Sequence, residues 1–483
     1  MAGSARVSPD ERRSAGEAAP AVPRSLVEGA LSRALLSLVA PMIAVSIANV
    51  VFQVADLRFV GALGPAALAA VVLANQGIRQ MAFLAVMGLS WASGTVVAWH
   101  VGAGDTDGAA RAAGQTLLIG LVVSLLLAVL GLVAAGPIFD LVKPTEEVRA
   151  VGVPFLRLGF VLSFSMVFSQ LGGAVLTGAG DAATPMRISI LATSIMIVAE
   201  WALIFGKLGL PELGAIGVVV GTAIGSSVGL VLLLRVLFSR GGALHVEARH
   251  LRPDPALLRR ILGLSWQPLL QLSTRVIVTI VFARLAAGFG TVAQAAYAVG
   301  MRLDLLPLAL GLPIANAGAT LVGQCLGAGR PERAAASVRL ATLWHAALLW
   351  PIAVVILLAP DRIVSFFTSD PAVIAAAATY LRYSAVGFFF MAFYMVQFRA
   401  LQGAGEMIPV MVISVPVLLA ITIPLAYWLS VPERLGLEGL WAASLASFVV
   451  VTLATAAWYS TGRWKRRQLV IAPIPADEPI ATP

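Results

Sequence analysis

The sequence predicts an all-α polytopic membrane protein, with twelve transmembrane helices in two six-helix lobes related by an internal repeat. Three observations predict it. Of 483 residues, 59% are hydrophobic and 12% charged, a charged share about half that of a soluble protein. Apolar runs of bilayer-crossing length, about twenty residues, succeed one another from Leu35 to Tyr459. Two glycine signatures also recur at an offset of 225 residues (102 to 327, 178 to 403). Gly102-Ala103-Gly104 is matched by Gly327-Ala328-Gly329, and Gly178-Ala179-Gly180-Asp181 by Gly403-Ala404-Gly405-Glu406, with Pro185 and Pro409 following the second pair. Helical segments around these pairs also align, for example Gly64 with Gly290, 226 residues apart. Duplicated halves in so apolar a chain are the pattern of a transporter whose substrate site lies between its repeats.

The elements follow in order. Residues 1–32 carry Arg12, Arg13, Pro20 and Pro23 without an apolar run. They read as a disordered cytoplasmic tail, not a cleaved signal peptide. The N-terminal lobe, 33–239, is expected to hold spans at 33–57, 66–100, 112–135, 152–177, 185–205 and 215–237. Residues 240–260 form a basic cytoplasmic linker, with Arg240, Arg249, Arg252, Arg259 and Arg260 against Glu247 and Asp254. The C-terminal lobe, 261–462, repeats the pattern at 261–285, 291–325, 334–358, 373–402, 409–429 and 437–461. The second span of each lobe is long enough to tilt or bend. Residues 463–483 open with Arg463, Lys465, Arg466 and Arg467 and run into a cytoplasmic tail, with Pro473, Pro475, Pro479 and Pro483, that is too proline-rich to pack. An even span count puts both termini and the linker on one side, and the Lys and Arg bias makes that side the cytoplasm of a multi-pass plasma or inner membrane protein. The Gly-Ala-Gly elements then fall on cytoplasmic turns, where glycine permits positive φ and the following prolines suit a first helical turn.

Composition also excludes functions. The net charge of +9 does not mark a nucleic-acid binder, because the arginines sit between apolar segments where topology explains them. The single cysteine, Cys325, allows no internal disulfide and no metal cluster. No cofactor is expected. His245 and His250 lie in the linker, while His100 and His345 are isolated, so no catalytic constellation forms and an enzyme is not expected. Two fused lobes need no partner chain, which points to a monomer in the lipid bilayer.

Polar residues within the spans carry the chemistry, since an intramembrane charge costs about 2.5–3.5 kcal/mol on insertion scales. Ser46, Asn49, Gln53 and Asp56 follow steps of three, four and three, one face of a helix. Glu200 lies about 22 Å beyond Pro185 at 1.5 Å per residue, which brings it to the depth of Asp56. Gln170 on the fourth span is a third polar group for the same region. Two carboxylates at one depth repel when both are ionised, so the pair is expected to share a proton or hold a cation. The second lobe is different. Its intramembrane charges are Arg275, Arg302 and Arg399, with Asp304 the only clear acid. Asp304 is expected to form a structural ion pair with Arg302 or Arg275. Gln267, Gln271 and Thr274 form a polar stripe on the seventh span, and Gln267 and Gln271 with Asn49, Gln53 and Arg275 are the candidates for the substrate cavity.

The run Val54-Ala55-Asp56-Leu57-Arg58-Phe59-Val60-Gly61-Ala62-Leu63-Gly64 resembles the first-span signature of the multidrug and toxic compound extrusion (MATE) family. Leu321-Val322-Gly323-Gln324 resembles its eighth-span ending, and Arg399-Ala400-Leu401-Gln402-Gly403-Ala404-Gly405-Glu406 its tenth. The resemblance covers residues 30 to 462 and is nearest the DinF-like prokaryotic branch. It implies a secondary active efflux antiporter exporting organic, cationic or amphipathic compounds in exchange for H⁺ or Na⁺ by alternating access. It also implies coupling through Asp56 and Glu200, with helix bending at Pro41. Two departures stand out. Glu200 replaces the branch's usual Asp, and Met196 stands where an Asn is common, which removes neutral oxygen ligands and favours H⁺. The alternative within the superfamily is a flippase for lipids or lipid-linked oligosaccharides, which Arg79, Arg275, Arg302 and Arg399 would suit. A major facilitator protein would carry a basic signature between its second and third spans, which Gly104-Asp105-Thr106-Asp107-Gly108 does not supply.

Overall fold

A computed structural model describes residues 25–467. Most of the two expected tails, 1–24 and 468–483, therefore lies outside the described residues. Within them, eleven single helices are long and apolar enough to cross a membrane, and one bent pair completes the twelfth span. The N-terminal lobe holds Leu31–Gly61, Pro65–Gly102, Thr106–Asp140, the pair Glu146–Val161 and Ser163–Gly178 bent by 47°, Ala183–Ile204 and Ala215–Phe238. The C-terminal lobe holds Pro255–Gly288, Thr291–Gly327, Pro331–Leu358, Pro371–Gly403, Met407–Leu429 and Leu437–Ser460. The all-helical build satisfies each backbone group within its own segment, which lipid requires. Large apolar side chains on the outer faces, such as Leu126, Val129 and Val133 on the third span, are exposed, as suits contact with hydrocarbon.

The helix ends follow from local chemistry. Pro65, Pro255, Pro331 and Pro371 open their helices, where the missing N–H is one of the orphan donors anyway. The carboxylates of Asp105, Asp254 and Asp370 accept from backbone N–H groups in the first turns, a capping arrangement worth about 1 kcal/mol each. The Asp254–Pro255 start brings the seventh span back to residue 255, so the expected linker 240–260 surrenders its last residues to helix. The second span contains a π-helical turn at Leu73–Arg79, the eleventh another at Val417–Thr422.

The repeat is visible in the backbone. Positive-φ glycines pair across the lobes: Gly64 and Gly290 both at 97°, Gly104 and Gly329 at 74° and 68°, Gly180 and Gly405 at 95° and 79°. Each pair starts or closes equivalent helices, and each φ is one an L side chain rarely adopts.

The last residues of the expected tail 1–32 are ordered. Ser25–Glu28 is a short helix, and its Leu26 is buried. Arg333 donates from Nη2 to the Leu26 and Gly29 carbonyls at 3.0 and 2.6 Å, and Arg330 donates from Nη1 to the Val27 carbonyl at 3.0 Å. This strap ties the start of the first span to the start of the ninth, because two guanidinium forks find carbonyls that a four-residue helix leaves unpaired.

Candidate functional site

The lobes meet through a crossing that repeats itself about a pseudo-two-fold axis. The Trp99 indole N–H donates to the Gly403 carbonyl at 2.9 Å, and the Gln324 side-chain amide donates to the Gly178 carbonyl at 2.9 Å. Trp99 and Gln324 are themselves repeat partners, as are Gly178 and Gly403. Gly102 lies so close to the Gln324 backbone, and Gly327 to the Trp99 backbone, that a Cβ on either would collide with main chain. The Gly-Ala-Gly signatures therefore do more than turn the chain. They bring backbones of opposite lobes into contact and seal the end of the bundle that carries the linker and the ends of the described chain, residues 25 and 467.

Above this seal lies a cavity of about 290 Å³, close to the lower end of ligand pockets, about 300–1,000 Å³. Its walls follow the same symmetry. The repeat partners Trp91 and Asn316, Thr95 and Thr320, and Ala174 and Arg399 all line the cavity. The first and fifth spans add Met42, Ser46, Met186 and Ser189, and the fourth adds Gln170. Among the described residues, Arg399 is the only ionisable one in the lining. It is 8% exposed, its Nε donates to Asn316 Oδ1 at 2.8 Å, its Nη1 donates to Gln402 Oε1, and its guanidinium carbon lies 4.1 Å from the Trp91 ring centroid. Gln402 in turn donates to Gln271 Oε1 at 3.3 Å.

The two acids of the N-terminal lobe lie further along the same first and fifth spans. Asp56 is ten residues past Ser46 and Glu200 eleven past Ser189, about 15 and 16 Å along a helix. Both therefore sit at one level, away from the seal. Glu200 is wholly buried where the fifth and sixth spans touch, over Gly221, and accepts a hydrogen bond from the Thr222 hydroxyl at 2.8 Å. The first span, which carries Asp56, packs against the fifth, which carries Glu200. Asp56 Oδ1 and Glu200 Oε2 are shielded from solvent and have no hydrogen-bond partner among the described residues. Met196, one turn before Glu200, packs on Gly225 and supplies no oxygen.

The other sequence candidates scatter. Gln170 lines the cavity instead of joining the acid pair. Asn49, Gln53 and Arg275 are exposed and lie outside the cavity lining, while Gln267 and Gln271 are buried behind it. Pro41 sits inside an unbroken helix. The expected Asp304–Arg302 ion pair does not form. Residues two apart on a helix point to different faces, and Arg302 is exposed while Asp304 turns inward. Asp304 Oδ2 instead accepts from the Tyr380 hydroxyl at 2.5 Å and from Ser384 at 3.2 Å, beside the ring cluster of Tyr297, Tyr380 and Trp441. Sequence reasoning missed Thr222, Asn316 and the cavity role of Arg399. The usable signal was the last, a lone arginine at the repeat position where the first lobe has Ala174.

A family model described as MatE matches residues 41–202 and again 267–428, one match for each lobe. Among curated proteins, the chain is 26% identical over 444 residues to the probable multidrug resistance protein NorM of Thermotoga maritima, covering 91% of this chain and 94% of that one. It is 27% identical over 435 residues to the multidrug resistance protein PmpM of Pseudomonas aeruginosa, covering 87% and 90%. Among solved structures, a MOP superfamily transporter from Pyrococcus furiosus superposes with a TM-score of 0.85 at 21% identity, covering 93% of this chain and 99% of that one.

Proposed function

The chain belongs to the MatE family, and we propose that within it this protein is a secondary active antiporter exporting organic compounds by alternating access in exchange for protons. It is a multi-pass membrane transporter, not an enzyme. The names of its relatives, multidrug resistance proteins from several bacteria, support efflux of organic compounds. The lysine and arginine bias supports cytoplasmic termini, and two lobes in one chain support action as a monomer.

The observation that carries the reading is the Asp56–Glu200 pair. Two carboxyl groups share one level of the first lobe, on two helices that also wall the inter-lobe cavity. Each has a shielded oxygen with no protein donor, which is a costly arrangement unless a proton or cation is taken up there. The surroundings favour the proton over Na⁺, since Thr222 is the one oxygen donor hydrogen-bonded to Glu200 and Met196 stands where a further oxygen ligand would serve. Protonating the pair changes the charge on the first and fifth spans, and those spans are the moving wall of the cavity in this mechanism. The driving force is adequate. One proton moving down roughly 100 mV releases about 2.3 kcal/mol and one pH unit about 1.4, enough for a gradient of about a few hundredfold in a neutral substrate.

The test is transport in proteoliposomes under imposed pH and Na⁺ gradients, for the wild type, Asp56→Asn and Glu200→Gln. Proton-driven movement lost in both variants while substrate binding persists is the expected result. Movement driven equally well in both variants would remove the acid pair from the mechanism.

A further inference from the structure

We infer that the inter-lobe cavity takes amphipathic organic anions, whose carboxylate, sulfonate or phosphate group is received by the Arg399 guanidinium. The inference takes that cavity as the substrate site and so rests on the transport reading above.

The argument begins with charge. Arg399 is the only ionisable one among the described residues lining the cavity, and the acids Asp56, Glu200 and Asp304 are absent from its walls. Among the described residues no carboxylate lies within salt-bridge distance of Arg399; its hydrogen-bond partners, Asn316 and Gln402, are neutral. The face of Trp91 offers a partial counter-charge, weaker than a carboxylate in the same place. An arginine only 8% exposed as a residue and without a counter-anion has lost most of its water and gained little in exchange, which is an unfavourable arrangement that an incoming anion relieves. A cationic substrate in the same cavity would meet a fixed like charge at low dielectric, and that is a device for rejecting it.

Geometry supplies the second half. Nε and Nη1 are tied to Asn316 and Gln402, and Gln402 is itself held by Gln271. Nη2 makes no hydrogen bond to the described residues, and the side chain borders the cavity. The fork is therefore held at Nε and Nη1 by neutral groups and keeps Nη2 without a partner among the described residues, a preorganised donor of the kind that binds oxyanions well. Met42, Trp91, Met186 and Leu312 in the same lining offer apolar surface for the rest of the molecule. The site is asymmetric where the fold is symmetric. The repeat partner of Arg399 is Ala174, also in the lining, so one lobe provides the charge and the other leaves room.

A matched pair of probes tests this: naphthalene-2-sulfonate and 2-naphthyltrimethylammonium, which share an aromatic body and differ in charge. Binding to the purified full chain is measured by calorimetry, and gradient-driven movement in proteoliposomes, for wild type, Arg399→Gln and Arg399→Lys. The expected result is sulfonate binding at least about tenfold tighter than ammonium in the wild type. Arg399→Gln should abolish that preference with ammonium affinity unchanged or improved, and Arg399→Lys should keep part of it. Equal or tighter ammonium binding by the wild type overturns the inference, and that comparison needs no variant to fold. A variant that weakens both probes alike overturns it too, since Arg399 would then be a strut. Sulfonate that binds with the predicted preference but moves under no gradient supports the site and sinks the export reading instead.

Discussion

The two cross-lobe hydrogen bonds at the seal give the sharpest quantitative expectation. Trp99→Phe removes the indole donor and leaves the Gly403 carbonyl unpaired; Gln324→Leu does the same to the Gly178 carbonyl. Trp99 and Gln324 are each 1% exposed, and each bond is 2.9 Å. Both carbonyls are buried only while the lobes touch, and both find water once the seal opens. The loss therefore falls on the sealed state alone, at about 1–1.5 kcal/mol per bond. That is about a five- to tenfold rise per variant in the share of molecules open at this end. If the two add, the double variant rises about thirty- to a hundredfold. A state populated at about 1% would then reach roughly a quarter to a half. Spin labels on Thr106→Cys and Glu332→Cys, exposed turns of opposite lobes at this end, report the opening by pulsed dipolar distances, with Cys325→Ala removing the native thiol. The double variant should add a longer distance to the wild-type distribution, with each single variant between. An unchanged distribution in a folded double variant would refute the reasoning and leave the seal to apolar packing and the glycine crossing.

Two further outcomes are expected. Tyr380→Phe withdraws the closer hydroxyl from buried Asp304 and should lower stability by about 1–3 kcal/mol, whereas Arg302→Gln should change it by less than about 0.5, both read as thermal melting in one detergent; a large loss in the second would restore the ion pair. Arg333→Ala removes the donor to the Leu26 and Gly29 carbonyls and should raise amide exchange across residues 25–30 at least tenfold, with no such rise in the third span, and protection unchanged in the variant would show that Leu26 packing alone holds the strap.

The sequence was most legible where the physics is local. Span lengths follow from hydrophobic runs, because a bilayer demands about twenty apolar residues whatever lies beside them. The repeat follows from the matching of glycine signatures 225 residues apart. The Asp304 expectation failed for a reason within reach of sequence. Arg302 stands two residues away and so on another face, while the true partners, Tyr380 and Ser384, come from the tenth span, 76 and 80 residues on.

By itself the sequence determined that the chain crosses the membrane twelve times in two like halves, that acids are confined mainly to the first, and that Asp56 and Glu200 reach one depth. Each of these depends on composition or on rise per residue along a single helix. Only the tertiary structure decided which polar groups share a space. It moved Gln170 from the acid pair into the cavity wall, took Asn49, Gln53 and Arg275 out of that wall, gave Glu200 its Thr222 hydroxyl, and set Arg399 against Trp91 from the other lobe. Those outcomes depend on the rotation of each helix about its axis and on contacts between segments more than three hundred residues apart. Hydrophobic periodicity fixes such rotations poorly when lipid and protein interior are nearly equally apolar.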